Sequence, residues 1–191
     1  MPLNLNTGGS GDFLPYVKYN AKAGRWYVKD DNDDEVEVSD LTAIFDLEHI
    51  QTGWLTFNAA GIPEWAPDHD LKNPAPKPGD KAKRGFKVHC FAKKIGGARE
   101  LMSNSMIANS AINQVYAEYE KAAENGKVPV IKCTGVNPIT GKHGTNYEPI
   151  LEIVKWVERP SAENLPILGN GTVTASAGSV DEDEPADDEE F

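Results

Sequence analysis

The sequence predicts a mainly β protein, a small barrel that holds one helix and is followed by an acidic tail. Short apolar stretches alternate with charged residues at the strand period of two over much of the chain. Only one long stretch, after Gly96 and Gly97, switches to the helical period of about 3.6 residues. The apolar fraction of 39% is low for a packed protein, so part of the chain is expected to lie outside the core.

The first half of the chain supplies the early strands. Residues 1–12 are polar and glycine-rich and are expected to form a flexible arm. Aromatic and basic residues interleave over residues 13–29, and Gly24 predicts a turn into a strand at residues 25–29. The acidic run DDNDDE is typical of a hairpin tip, and alternating valines follow it.

Further strands are predicted around a long loop. One strand is expected over residues 53–58. Five prolines between residues 61 and 85 predict a Pro- and Lys-rich loop without a regular element. The next strand, residues 86–94, alternates. The side expected to face the core carries Phe86, Val88, Cys90 and Ala92. The opposite side carries Lys87, His89, Phe91 and Lys93.

The single helix is predicted over residues 103–125. Ser103 or Ser105 is the expected N-cap, and Gly126 is the expected stop. One stripe of the helix is apolar and comprises Ala108, Ala111, Ile112, Val115, Tyr119 and Ala122. Two more strands are predicted at residues 128–135 and 147–157, joined by the turn-like NPITGKHGTN.

Five short strands with one helix between the third and the fourth is the order of the OB-fold. That fold is a partly open five-stranded Greek-key barrel that binds oligonucleotides on one face. The expected domain covers residues 13–158. A flexible linker at residues 159–180 then leads to an acidic protein-interaction tail at residues 181–191.

Charge is distributed very unevenly along the chain. The net charge is −11, but residues 181–191 hold eight acidic groups and no basic one. Residues 72–99, in contrast, hold nine basic groups and one acidic group, a net charge of +8. A basic belt on an acidic chain points to an anionic ligand.

The basic belt and the outward-facing aromatics together predict a site for single-stranded nucleic acid. Such sites combine a positive groove for phosphates with aromatic faces on which bases stack. The expected phosphate-binding residues are Lys18, Lys22, Arg25, Lys77, Lys81, Lys83, Arg84, Lys87, Lys93, Lys94 and Arg99. The expected stacking residues are Tyr19, Tyr27, Trp54, Phe91 and Trp156. His89 suits either role. The alternative interpretation is that the aromatics fill the core and the lysines form a solvated face.

The tail has a second expected role. Its last five residues, Asp187, Asp188, Glu189, Glu190 and Phe191, end in an aromatic ring beside the terminal carboxylate. Such a ring can enter an apolar pocket on a partner protein while the carboxylates meet basic residues around the rim. The eight acidic groups can also compete with DNA for the basic belt.

Together these features resemble the single-stranded DNA-binding proteins of tailed phages and prophages. The resemblance rests on the strand–helix–strand order with a basic third strand, the Gly/Ser-type linker and the tail DEDEPADDEEF. It implies an OB-fold and a tail whose last aromatic contacts the replicative polymerase and primase-helicase, or a recombination protein. The bacterial proteins of this function usually end in Pro-Phe, whereas Glu190 precedes Phe191 here.

Other chemistries match the sequence poorly. An EF-hand loop starting at Asp30 needs Gly at its sixth place and Glu at its twelfth, where Glu35 and Leu41 stand. Zinc-type pairs of cysteine and histidine are absent, and no catalytic signature appears. We therefore expect no enzyme, no cofactor and no metal. Two alternatives stay open: an acidic DNA mimic without DNA affinity, and a small metal-dependent nuclease using Asp70 and Lys72.

The expected setting is the cytoplasm of a bacterial host, for a protein encoded by a phage or prophage. No signal peptide and no membrane span are expected. The two cysteines, Cys90 and Cys133, suit a reducing compartment. The sequence leaves the oligomeric state open, with a homodimer among the options.

Overall fold

The computed structural model describes residues 14–30, 32, 34–59, 62–142 and 144–168. It confirms a mainly β protein with one helix. The flexible arm expected at residues 1–12 and the acidic tail expected at residues 181–191 lie outside the described residues. Among those described, no helix is long and apolar enough to span a bilayer.

Ten strands and one α-helix follow one another along the chain. The strands are β1 (Tyr16–Asn20), β2 (Arg25–Lys29), β3 (Glu35–Val38), β4 (Thr42–Phe45), β5 (Gln51–Phe57), β6 (Pro63–Pro67), β7 (Lys83–Ala92), β8 (Gly97–Ser103), β9 (Lys127–Gly141) and β10 (Gly144–Glu158). The helix α1 (Met106–Ala122) lies between β8 and β9. Its N-cap is Ser105, one of the two expected, and Gly126 adopts a positive φ of 74° beyond its end.

The ten strands form one mixed sheet in the order β10-β9-β4-β7-β8-β1-β2-β3, to which β5 and β6 are added. All pairs are antiparallel except β1 with β8. The long strand β7 pairs with β5 through its first half and with β4 through its second half. The expected five-stranded barrel is therefore not confirmed, because the described chain forms twice as many strands.

Two expected loops turn out to contain strands. Within the Pro-rich stretch, residues 63–67 form β6, which pairs only with β5. Prolines are tolerated there because an edge strand has one side without ladder hydrogen bonds. The expected turn NPITGKHGTN is largely the end of a long β9–β10 hairpin, whose register continues to Gly141 opposite Gly144.

The core lies between α1 and one face of the sheet. The helix buries Ala108, Ala111, Ile112 and Val115 of the predicted stripe, whereas Tyr119 is half-buried and Ala122 is exposed near the helix end. Phe86, Val88 and Cys90 of β7 face the same cluster, as does Leu101 of β8. Apolar burial of this extent is the main source of stability for the fold.

Residues 159–168, which we call the C-terminal strap, pack against the sheet beyond the expected domain boundary at 158. Leu165 is completely buried, and Pro166 accepts a hydrogen bond at 2.6 Å from Nδ1 of His89 in β7. Arg159 donates hydrogen bonds from two guanidinium nitrogens to the buried carboxylate of Asp46, at 2.7 and 2.5 Å. The packed part of the chain therefore includes the first ten residues of the expected linker.

Candidate nucleic-acid interface

One cluster of the predicted residues comes together where β5 meets the start of β7. The register pairs Trp54 with Arg84, so both side chains lie on the same face of the sheet. The loop before β7 adds Lys81 and Lys77, whose ammonium lies near the Trp54 ring. Lys83 opens the strand but pairs with Leu55, so its side chain lies on the opposite face of the sheet from Trp54, contrary to the single basic face that the sequence predicts. We call Trp54, Lys77, Lys81 and Arg84 the Trp54 patch.

The carboxylate of Asp68 fixes this part of the structure. It accepts two hydrogen bonds from Arg84, at 2.8 and 2.5 Å, one from the Thr52 hydroxyl at 2.6 Å, and one from the backbone N–H of Ala75 at 2.8 Å. Asp68 thereby ties the loop to both β5 and β7. The hydrogen bonds from Arg84 are the main cause that lowers the pKa of Asp68 to about 2.

The indole of Trp54 is half-buried and held in place. Its Nε1 donates a hydrogen bond to the carbonyl of Ala75 at 2.8 Å. The guanidinium of Arg84 lies 5.0 Å from the ring centroid, and the ammonium of Lys77 lies 5.8 Å from it. These are cation–π distances. A base that stacks on this ring would therefore take the place of one of the two cations.

The lysines of the patch are available for an external anion. Lys77 and Lys81 are exposed, and neither pairs with a carboxylate in the part of the chain that the structure describes. Residues 68–84 hold five basic and three acidic groups, a net charge of +2 on a chain of −11. One of these acids, Asp68, is already occupied by Arg84.

A second set of predicted residues lies on the outer face of β1 and β2, but its charges are balanced. The alternation places Lys18, Arg25 and Tyr27 together there. The neighbouring strand β3 supplies two glutamates. Glu35 pairs with Lys18 at 2.5 Å, and Glu37 pairs with Arg25. Lys22, in the turn between β1 and β2, is exposed.

Two cations of the basic belt are buried, contrary to the exposed face that the sequence predicts. Lys87 is 3% exposed, with its Nζ 3.4 Å from the carboxylate of Glu100. Arg99 is 7% exposed, and its Nε donates to the carbonyl of Ile95 at 2.6 Å. The alternation correctly put Lys87 on the face opposite the core. However, that face is itself covered at this point, so neither cation is accessible to DNA.

His89 is also buried, between the strap and Glu100. Its Nε2 lies 3.6 Å from the Glu100 carboxylate, while Nδ1 binds the strap. Burial alone would raise the pKa of Glu100, but the hydrogen bond from His89 and the charge of Lys87 outweigh it and lower that pKa. These contacts give His89 a structural role rather than a DNA-binding one.

The other end of β7 carries Lys93 and Lys94 in a short 3-10 turn. Both are exposed, and Lys94 donates to the carbonyl of Ser39 at 2.9 Å. At about 3.3 Å per residue, this turn lies roughly 30 Å along the strand from Lys83. The half-buried Phe91 precedes it. The basic belt is thus divided between two separated places rather than spread along one strand face.

Two predicted stacking residues are engaged inside the protein. Tyr19 lies on the inner side of β1, with its ring 4.8 Å from that of Trp26 and its hydroxyl donating to the Tyr147 carbonyl at 2.7 Å. The ring of Trp156 lies 5.8 Å from that of Tyr119 on α1. The alternation identified Trp54 as outward but does not reveal that a neighbouring element covers Tyr19 and Trp156.

The residues considered for a metal or a nuclease site make structural contacts instead. Asp46, Glu48 and His49 cluster together, but Arg159 occupies both carboxylate oxygens of Asp46. Asp70 accepts hydrogen bonds from the backbone N–H groups of Lys72 and Asn73, as a residue that closes a turn does. Part of the acidic run at residues 30–34 and the five tail residues Asp187, Asp188, Glu189, Glu190 and Phe191 lie outside the described residues.

Two structural features escaped the sequence analysis. Nothing in the sequence links Asp68 to Arg84, which is 16 residues away. The strap, in contrast, had a signal in the apolar run at residues 165–168.

No protein-family model, no curated protein and no solved structure matches this chain.

Proposed function

We propose that the protein binds single-stranded DNA through the Trp54 patch, without enzymatic activity. The observation that carries this proposal is the pair of exposed lysines, Lys77 and Lys81, which have no carboxylate partner among the described residues and belong to a loop beside an aromatic ring that is itself held in place. Lysines can neutralise phosphates, and an indole offers a face to any base. Neither contact depends on sequence, so binding is expected to be sequence-independent.

An OB-type arrangement is part of the same proposal. The pairing of β7 with β5 through one half and with β4 through the other supports it, because strands that switch partners in this way form the corners of barrel-like β structures. The position of α1 between strands supports it too. The resemblance to phage and prophage single-stranded DNA-binding proteins rests on the strand–helix–strand order with a basic third strand, the Gly/Ser-type linker and the acidic tail.

In this function the protein coats exposed strands during replication or recombination and protects them from nucleases. The tail ending in Phe191 then recruits a replicative polymerase, a primase-helicase or a recombination protein. This places the protein in the cytoplasm of a bacterial host that carries a phage or prophage. A homodimer is compatible with this role.

The test compares two variants that lose the same charge at different places. The first replaces Lys77 and Lys81 with Ala and so removes the exposed lysines of the patch. The control replaces Lys121 and Lys142 with Ala, which are also exposed but lie outside the patch. Binding is measured by fluorescence anisotropy with a labelled strand of about 30 nucleotides, longer than the ~4–16 nucleotides that one OB-fold covers.

The patch variant should bind more weakly, and its log–log salt slope should be shallower by about 1.4, because each of the two lost phosphate contacts on a single strand removes about 0.7. The control should keep the slope of the natural chain. If both variants lose affinity equally, DNA responds to overall charge and the patch is not the site. If the natural chain itself does not bind, the proposed function is wrong.

A further inference from the structure

A groove opens directly beside the Trp54 patch, between the sheet and helix α1. It measures about 250 Å³. The β5–β7 register places its floor on the same face as Trp54, since Thr52 pairs with Phe86 just as Trp54 pairs with Arg84. Thr52 lies two residues from Trp54, about 6–7 Å along the strand. The groove therefore begins one side chain away from the ring.

The walls of the groove suit a flat ring with polar edges. Phe86, Ile50 and Ile112 supply apolar surface, and Tyr116 supplies an aromatic face from the helix. Leu71 also lines the groove and is 46% exposed, so it is not part of the core. A volume of 250 Å³ is below the ~300–1,000 Å³ of sites for drug-sized ligands, so the groove suits a smaller body.

Polar groups at the groove can meet the edge of such a ring. The amide of Asn113 is exposed and has no hydrogen-bond partner in the part of the chain that the structure describes. An amide offers both a donor and an acceptor, the combination that base edges present. Burial, with a smaller contribution from Glu120, raises the pKa of Tyr116, so its hydroxyl keeps its proton.

Arg84 connects the groove to the Trp54 patch. Its guanidinium lies over the Trp54 ring and binds Asp68, and the same side chain also lines the groove. A strand that contacts Lys77 and stacks on Trp54 would thus pass the mouth of the groove. The positive charge beside the groove favours an occupant that belongs to a polyanion.

We propose that this groove takes in one nucleobase of a bound single strand, next to the base that lies over Trp54. The inference rests on the proposed function, because it needs a strand on the Trp54 patch. It adds a specific contact, in which one base leaves the stack and lies against the ring of Tyr116 while Asn113 meets its edge.

Photocross-linking tests the position directly. The natural chain is irradiated with a single strand that carries 5-iodouracil at scattered positions, and the attachment sites are mapped by peptide mass spectrometry. Cross-links at Tyr116 as well as at Trp54 are expected. Cross-links at Trp54 without any at Tyr116 would overturn the groove and leave the proposed function standing. Failure of the chain to bind the strand would overturn both.

A groove-filling variant gives a second measurement. Asn113→Trp places a bulky ring in the groove from an exposed helix position. It should weaken binding at least about five-fold, the loss expected for one stacked base, and remove the Tyr116 cross-link. The matched control is Ala117→Trp, one turn along the helix at an exposed position outside the groove, which should bind like the natural chain. Equal affinities for both variants would contradict the proposal.

Discussion

At the scale of single residues, Asp68 joins three parts of the candidate interface. It accepts hydrogen bonds from β5, from β7 and from the loop between β6 and β7. Arg84 is oriented over Trp54 while it is bound to Asp68. Loss of the carboxylate is therefore expected to loosen the loop and the patch together.

Asp68→Asn tests this role through the pH dependence of stability. The folded-state pKa of about 2 lies below the ordinary value of 3.8, so Asp68 stabilises the fold fully above pH ~4. This contribution is lost as the pH falls from about 4 to about 2. Its size is expected to be roughly 1–2 kcal/mol, reduced by solvent screening because the Arg84 side chain is 40% exposed.

Urea unfolding at pH 7 and at pH 2.5 measures the effect. The variant should be less stable than the natural chain at pH 7, and the difference should shrink at pH 2.5. Asp80→Asn is the control, since Asp80 is exposed and makes no described contact. A difference that stays the same at both pH values would show that the ionised carboxylate is not what stabilises the loop.

The sequence predicted which face of a strand a residue occupies but not which other side chains it contacts. Alternation correctly placed Trp54 opposite the buried Leu55. It did not indicate that Lys77 and Arg84 would lie over the Trp54 ring, because such contacts depend on how a loop folds back. The pairing of Lys18 on β1 with Glu35 on β3 was not predicted either, because it depends on the order of the strands in the sheet.

At the scale of elements, β7 shows where pattern-based prediction ends. The period of two correctly identified Phe86, Val88 and Cys90 as the core side. It did not predict that Lys87 and His89 are buried. Alternation indicates which face a residue occupies but not whether a distant segment covers that face. Residues 159–168 cover His89 from a separation of 77 residues. The helix was predicted well because its signals, the Ser105 cap and the apolar stripe, are local.

The C-terminal strap leads to a prediction about truncation. A chain that ends at residue 158 lacks Leu165 and also leaves Asp46 buried without Arg159. Burial alone would raise the pKa of Asp46, but the hydrogen bonds from Arg159 and His49 outweigh it and lower that pKa. The loss of the buried Leu165 and of the Arg159–Asp46 ion pair should lower the free energy of unfolding by at least ~3 kcal/mol.

Denaturant unfolding of two truncated chains measures the contribution of the strap. The chain that ends at residue 168 keeps every described contact and serves as the control. It should unfold at the same urea concentration as the full chain, whereas the chain that ends at residue 158 should unfold at a clearly lower one. Equal midpoints for the two would mean that the strap contributes nothing to stability.

At the scale of the whole molecule, the separation of charge is the feature that distinguishes this chain. Residues 1–180 hold 19 basic and 22 acidic groups, so most of the net charge of −11 comes from the last eleven residues. The exposed lysines of the Trp54 patch and these acidic groups have opposite charge. The acidic tail is therefore expected to compete with single strands for the patch.

Removal of residues 181–191 tests this competition. The shortened chain should bind a single strand more tightly than the full chain at low salt, and the difference should shrink as salt screens the charges. The comparison uses fluorescence titrations at two salt concentrations. Equal affinities at low salt would contradict a competing role and leave the tail as a site for partner proteins alone.

The central claim is affinity for single-stranded DNA, and a tryptophan-fluorescence titration of the full chain tests it most directly. A strand of about 30 nucleotides is compared with its duplex at low and at moderate salt. The account predicts quenching as bases stack, preference for the single strand and a steep loss of affinity with salt. Failure to bind either form would contradict it and favour an acidic protein that mimics DNA, while magnesium-dependent cleavage of the strand would indicate a nuclease instead.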